Sequence, residues 1–212
     1  MRIVIAGGHG KIAQLLARQL AAAGHEPIGL IRDPKHADDL LAAGSTPVVL
    51  DLEQSTVQDV ADVLVGADAA VFAAGAGEGS GNDRKLSVDR DGAILLADAA
   101  LEAGVTRFIV ISSVGADSYD AASEDPFQVY LRAKGEADAA VRERNLDWTI
   151  VRPVTLTDEP GTGRISLGSH GGSIARADVA SVVVELLGGV GARSMFEVSA
   201  GDRGVAEVLA GV

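Results

Sequence analysis

Met1-Arg2-Ile3-Val4-Ile5-Ala6-Gly7-Gly8-His9-Gly10-Lys11-Ile12-Ala13-Gln14-Leu15-Leu16 is the stretch on which the fold turns. Arg2 to Ala6 is a short apolar run of the kind that forms a buried parallel strand. Gly7-Gly8-His9-Gly10 is too rich in glycine for strand or helix. Ile12, Leu15 and Leu16 then recur with helical spacing. The order strand, tight turn, helix makes a glycine pattern informative, because the start of a helix offers free backbone N–H groups and a positive dipole end to a phosphate.

Two registers of a dinucleotide-binding turn fit. Gly8-x-Gly10-x-x-Ala13 has the common Rossmann spacing, and Gly7-x-x-Gly10-x-x-Ala13 has the spacing of extended and atypical short-chain dehydrogenases. In both, an early glycine makes the turn, Gly10 lets the backbone approach phosphate, and Ala13 lets the helix pack closely on the strand. Cofactor phosphates are therefore expected against Gly7, Gly8, His9, Gly10, Lys11 and Ile12. The alternative is an ordinary glycine-rich turn between strand and helix.

Working outward, Pro27 to Arg32 reads as a second strand whose end should lie beside the cofactor ribose. An acid about 20 residues past the glycines holds the 2′-hydroxyl of NAD, whereas an arginine accommodates the 2′-phosphate of NADP. Arg32 favours NADP, with NAD the lesser choice through Asp33, which follows directly. Val48 to Leu52 reads as a third buried strand, placing Asp51 and Leu52 at the adenine edge, although Asp51 also suits a turn or cap. Ala69 to Gly77 is a fourth strand entering a second glycine-rich turn, where Ala73, Ala74 and Gly75 leave room for a flat cofactor. A long helix is expected from Asp83 to Ala103. A fifth strand, Arg107 to Ile111, ends in Ser112-Ser113. A helix from about Phe127 to Arg144 carries Tyr130 and Lys134 on one face by their i, i+4 spacing. Trp148 to Pro153 is a sixth strand, Val154 to His170 is loop-like, Ala177 to Leu187 is helical, and Phe196 to Val198 is a last edge strand before a tail. Alternating strands and helices of this kind predict an α/β fold: one Rossmann-like, doubly wound, mostly parallel sheet flanked by helices. Residues 1–212 form a single domain, with substrate-side loops at about 114–126 and 154–175.

Composition narrows the function. The chain of 212 residues carries a net charge of −12, which opposes nucleic acid or an anionic membrane as partner and leaves a small molecule. With no cysteine there is no disulfide, thiolate metal site or thiol nucleophile. His9, His25, His36 and His170 lack paired ligand spacing, so no metal is expected. Only four apolar residues follow Arg2 before Gly7, too few for a signal peptide, and a cytoplasmic protein is expected. Monomer and homodimer both stay open.

Gly7-Gly8-His9-Gly10-Lys11-Ile12-Ala13, Arg32, Asp51-Leu52, Ala74-Gly75-Ala76, Asp89-Arg90-Asp91-Gly92, Ser112-Ser113, Tyr130-x-x-x-Lys134 and Arg152-Pro153 together resemble the atypical short-chain dehydrogenases/reductases of the NAD(P)H-binding, NmrA-like group. The resemblance implies an NADP-dependent oxidoreductase acting on a small carbonyl, imine or activated alkene. In it Tyr130 is the acid/base, Lys134 also holds the nicotinamide ribose, and Ser113 bonds the substrate oxygen. An ammonium beside a phenol favours the phenolate, which suits that role. Two further readings carry over: a non-catalytic NADP(H)-sensing regulator, and an epimerase or dehydratase with bound cofactor. Where classical members of the resembled family have an asparagine on the helix after the fourth strand, this chain has Asp89-x-Asp91-Gly92. Asp117, Asp120, Glu124 and Asp125 either rim the pocket, and so disfavour anionic substrates, or form a solvated acidic loop with no bearing on substrate choice.

Overall fold

The first strand, β1 (Arg2–Ala6), is buried on both faces: Ile3 and Ile5 point into one apolar cluster and Val4 and Ala6 into another. That double burial explains its unbroken apolar sequence. The computed structural model describes residues 1–77, 79–168 and 171–212, so His170 lies outside the described residues. After β1 come α1 (Lys11–Ala22), β2 (Glu26–Ile31), a single 3₁₀ turn (Pro34–His36), α2 (Ala37–Ala42), β3 (Thr46–Val49), α3 (Val57–Leu64) and β4 (Ala69–Phe72). A helical stretch follows as α4 (Asn82–Arg84), a π-helical segment (Lys85–Asp91) and α5 (Gly92–Glu102). The second half runs β5 (Arg107–Ile111), α6 (Pro126–Arg142), β6 (Asp147–Pro153), β7 (Thr155–Thr157), β8 (Arg164–Leu167), β9 (Ser173–Ala175), α7 (Arg176–Leu187), β10 (Ser194–Ala200), β11 (Arg203–Gly204) and α8 (Val205–Leu209).

The main sheet has the order β11-β8-β10-β6-β5-β4-β1-β2-β3. From β3 to β10 every pair is parallel, and only β8 and β11 run antiparallel to their neighbours. This is the doubly wound α/β arrangement, with the chain reversing direction across the sheet between β1 and β4. On one face α1 packs against α7, burying Leu16 and Leu20 with Val179, Val183 and Leu186. On the other, α3, α5 and α6 cover Val4, Phe72, Phe108 and Ile150. Helix starts follow local chemistry: Thr56 and Asp59 form a capping box for α3, and Asp125 caps α6, whose first residue is Pro126. Among the described residues no helix is long and apolar enough to cross a membrane.

Several expectations need correction. Residues 154–170, read as a loop, contain β7 and β8. Their pairing with β9 and β10 is long-range, so no local pattern announces it. The expected last edge strand is β10, which lies inside the sheet because β8 and β11 cover it. The third strand begins and ends earlier than expected and is a partly exposed edge. The tail contains α8, and α2 went unread.

Candidate active site

A cleft of about 340 Å³ opens over the carboxyl ends of β1, β2, β3 and β4, at the point where the strand order reverses. Gly7 turns the chain out of β1 with φ +80°, and a Cβ there would stand 2.5 Å from the Cα of Ala74. Only glycine fits, and the fit brings the turns after β1 and β4 together. Gly10 is the N-cap of α1; no side chain caps this helix, which leaves its first N–H groups facing outward. Ala13 is buried against the sheet. Gly7, Gly10 and Ala13 thus each have a structural place in the Gly7-x-x-Gly10-x-x-Ala13 register. Gly8 has a different task, since a Cβ on it would meet the Cα of Gly29 in β2 at 2.7 Å.

Of the expected cofactor residues, Gly7, His9, Gly10, Arg32, Asp51, Leu52, Ala73, Ala74 and Gly75 line this cleft. Gly8, Lys11, Ile12 and Lys134 do not. The Lys11 ammonium turns to Asp158, which also pairs with Arg176 at 2.6 Å, and Ile12 packs on the core. His9 stacks on His36 with ring centroids 3.6 Å apart, and its Nε2 lies 2.9 Å from Asp39. Asp51 accepts the backbone N–H of Glu53 at 3.0 Å, shaping its own turn. The sequence reading missed Glu53 and Arg84, which also line the cleft and pair with each other. Their 31-residue separation gives no sequence signal.

Gly75 also borders a second cavity of about 410 Å³, bounded by Ala76, Asp89, Phe127 and Tyr130. Tyr130 is half-buried there, its ring centroid 6.1 Å from that of Phe127. Helix α6 is seated by Gly135, where a Cβ would fall 2.1 Å from the carbonyl of Ala116, so the helix touches the loop after β5. One turn inward from Tyr130, Lys134 is buried with its Nζ 5.8 Å from the tyrosine ring centroid and 5.4 Å from that of Phe72. That ammonium lies 3.1 Å from Asp89, 3.3 Å from the Ile111 carbonyl and 3.4 Å from the Ala74 carbonyl. Burial alone would push the lysine down, but the Asp89 carboxylate beside it, helped by Asp138, outweighs it and holds Lys134 above its ordinary value, so it is charged at neutral pH. Asp89 projects inward from the π-helical segment and also accepts the N–H of Ala76 at 2.9 Å. Asp89, in the Asp89-x-Asp91-Gly92 segment, is thus the lysine's counter-charge.

The two serines after β5 point differently. Ser112 is buried and donates to Asp138 at 2.8 Å, while Ser113 is half-buried and donates to the Val114 carbonyl at 3.1 Å. Ser113 lines neither cavity. Asp138 continues the face of α6 that carries Tyr130 and Lys134, and pairs with buried Arg152 at 2.8 Å; Arg152 also binds Asp117. Burial raises the Asp138 carboxyl, against the pull of Ser112 and Arg152. Three of the four acids expected to rim the pocket are otherwise engaged: Asp117 on Arg152, Asp125 as the α6 cap and Asp120 on the Ala122 N–H. None of these three lines the second cavity. Among the described residues no group of three or more histidines and acids is placed to hold a metal ion.

The observations that fit a dinucleotide are the uncapped start of α1, the positive-φ glycine turn that leads into it from β1, and the small residues Ala73 to Gly75 at the end of β4. Comparison with known proteins agrees. The NAD(P)H-binding family profile matches residues 7–188. The uncharacterized sugar epimerase YhfK of Bacillus subtilis is 34% identical over 99% of both chains. Among solved structures, a Bacillus halodurans protein carrying the name of NAD-dependent epimerase/dehydratase is 35% identical, with a TM-score of 0.90 and full coverage of both chains. The oxidoreductase ylbE of Lactococcus lactis is 28% identical with a TM-score of 0.87, covering 100% of this chain and 96% of its own.

Proposed function

We propose, from the premise that the chain belongs to the NAD(P)H-binding family, that it is an NADPH-dependent oxidoreductase reducing a small carbonyl, imine or activated alkene, with Tyr130 as the acid/base. The observation that carries this reading is the placing of Tyr130 on a cavity that shares Gly75 with the cofactor cleft, with the buried, charged Lys134 behind its ring. Bound in the cleft, NADPH would supply the hydride. The chain's own residues supply the rest. The turn from Gly7 to Gly10 and the first N–H groups of α1 would hold the pyrophosphate, and Ala73 to Gly75 would let the nicotinamide lie against the strand ends. Tyr130 would donate its hydroxyl proton to the oxygen of a carbonyl seated in the second cavity. Lys134 places a positive charge 5.8 Å from the centre of the tyrosine ring, and it touches the cleft wall through the Ala74 carbonyl.

Preference for NADPH rests on Arg32, exposed at the end of β2 and lining the cleft. The test is NADPH oxidation followed across a panel of aldehydes, ketones, quinones, imines and enones. Turnover with at least one class is expected. Tight NADPH binding without oxidation across the panel would overturn the reading, and interconversion of a sugar nucleotide without net NADPH consumption would favour epimerase chemistry instead.

A further inference from the structure

The adenosine end of the cleft holds more fixed negative than fixed positive charge: Asp33, Asp51 and Glu53 stand with Arg32 and Arg84, beside the imidazoles of His9 and His36. A lone arginine would leave a phosphate facing three carboxylates, so the two guanidinium groups have to act together. They already converge. Oε2 of Glu53 lies 3.3 Å from Nη1 of Arg32 and 3.2 Å from Nε of Arg84, while its Oε1 accepts the Ser87 hydroxyl at 2.6 Å. One oxygen shared at these lengths is a poor partner for two arginines, since charge-assisted bonds run about 2.7–2.9 Å and a guanidinium favours two-oxygen pairing. Among the described residues Nε and Nη2 of Arg32 and Nη2 of Arg84 have no partner. Arg84 is further fixed by its 2.7 Å bond to the Ala76 carbonyl. Asp33 and Asp51 each spend an oxygen on a backbone N–H at 3.0 Å.

We propose that Arg84 and Arg32 form a two-armed clamp for a phosphomonoester, the 2′-phosphate of NADPH, and that Glu53 is the clamp's resident counter-ion, which the phosphate displaces. This inference rests on the NADPH reading above and adds to it a second cationic arm and an internal competitor. A phosphate brings three acceptor oxygens where Glu53 lends one, and so reaches the free donors of both arginines. Ser87 retains the carboxylate by its other oxygen and keeps it beside the clamp rather than in it.

Equilibrium titration with adenosine 2′,5′-bisphosphate and adenosine 5′-monophosphate tests the clamp without any need for turnover. Arg84→Met should weaken the bisphosphate about tenfold or more, which is about 1.4 kcal/mol or more, and the monophosphate less than about twofold. Arg84→Lys, which keeps charge but not the fork, should fall between wild type and Arg84→Met. Glu53→Gln should tighten the bisphosphate several-fold while leaving the monophosphate unchanged. An Arg84→Met protein that loses both ligands equally, or neither, overturns the clamp, as does a Glu53→Gln protein that binds the bisphosphate more weakly. Arg32→Ala in the same titration separates the two claims. A selective loss there but not in Arg84→Met removes only the clamp, whereas a wild type that binds both ligands equally removes the NADPH preference itself.

Discussion

Tyr130 and Lys134 are four residues apart on α6, yet their surroundings differ: the tyrosine lines a cavity and the lysine is buried against Asp89. Removing the phenol oxygen therefore tests chemistry with little structural cost. Tyr130→Phe should lower turnover about 10²- to 10⁴-fold with NADPH affinity nearly unchanged, measured by steady-state rates beside fluorescence titration of the cofactor. The next polar residues inward behave differently. Arg152 is buried between Asp138 and Asp117, and Asp138 is itself 1% exposed, so deleting the cation strands a buried carboxylate. Arg152→Met should cost about 3–5 kcal/mol in urea unfolding. Adding Asp138→Asn should recover part of that loss, and a double variant no more stable than Arg152→Met would dismiss the pairing as a source of stability.

At the scale of elements, the end of α7 is held by a side chain from another strand. Arg107 on β5 is 8% exposed and donates to the carbonyls of Leu186 at 2.6 Å, Val190 at 3.0 Å and Asp147 at 2.8 Å, and to the Thr149 hydroxyl at 2.8 Å. Burial pushes this guanidinium below its ordinary value, but an arginine stays charged at neutral pH and complements the negative end of the helix. Arg107→Met removes the shared donor from the carbonyls of Leu186, Val190 and Asp147 and from the Thr149 hydroxyl. It should lower stability by about 3 kcal/mol or more, read as a lower urea midpoint with an unchanged m-value. Gly135→Ala probes how α6 is seated, because the added methyl would lie 2.1 Å from a backbone oxygen that cannot swing aside. The expected outcome is a clear drop in thermal midpoint together with slower turnover, since the helix that carries Tyr130 must lift. The π-helical turn that points Asp89 inward is the opposite case, with no sequence mark to announce it.

The whole molecule carries a charge of −12, and its stability against acid follows from which carboxylates are engaged. Glu53, held chiefly by Ser87, and Asp117, held chiefly by Arg152, titrate below their ordinary values. The Thr56 backbone lowers Asp59 and Lys11 lowers Asp158 in the same way. A carboxylate with a depressed folded value contributes stability that is present above its unfolded value, near 4, and is lost as pH falls through the folded value. Asp138 is raised by burial and works in the opposite sense, but it is one group against five, because the Lys35 backbone N–H lowers Asp33 as well. The thermal midpoint should therefore fall steeply below about pH 4. A midpoint unchanged from pH 6 to pH 3 would remove these pairs from the account.

Sequence by itself determined the parts whose causes are local. Gly7 to Ala13 between an apolar run and an amphipathic helix could form only a strand, a turn with positive φ and a helix start, and that unit, repeated, dictates a doubly wound parallel sheet. It also brought Arg32, Asp51 and Gly75 to strand ends, where the topology gathers them into one cleft. Tertiary structure decided what depends on distant partners. Glu53 meets Arg84 across 31 residues, and Asp89 meets Lys134 only because a π turn faces α6. β8 exists only because β10 offers it an edge, and Lys11 was drawn from the cleft by Asp158. Hydrophobic period and turn chemistry are written along the chain, whereas a charge chooses its partner from whatever the fold brings within a few ångströms.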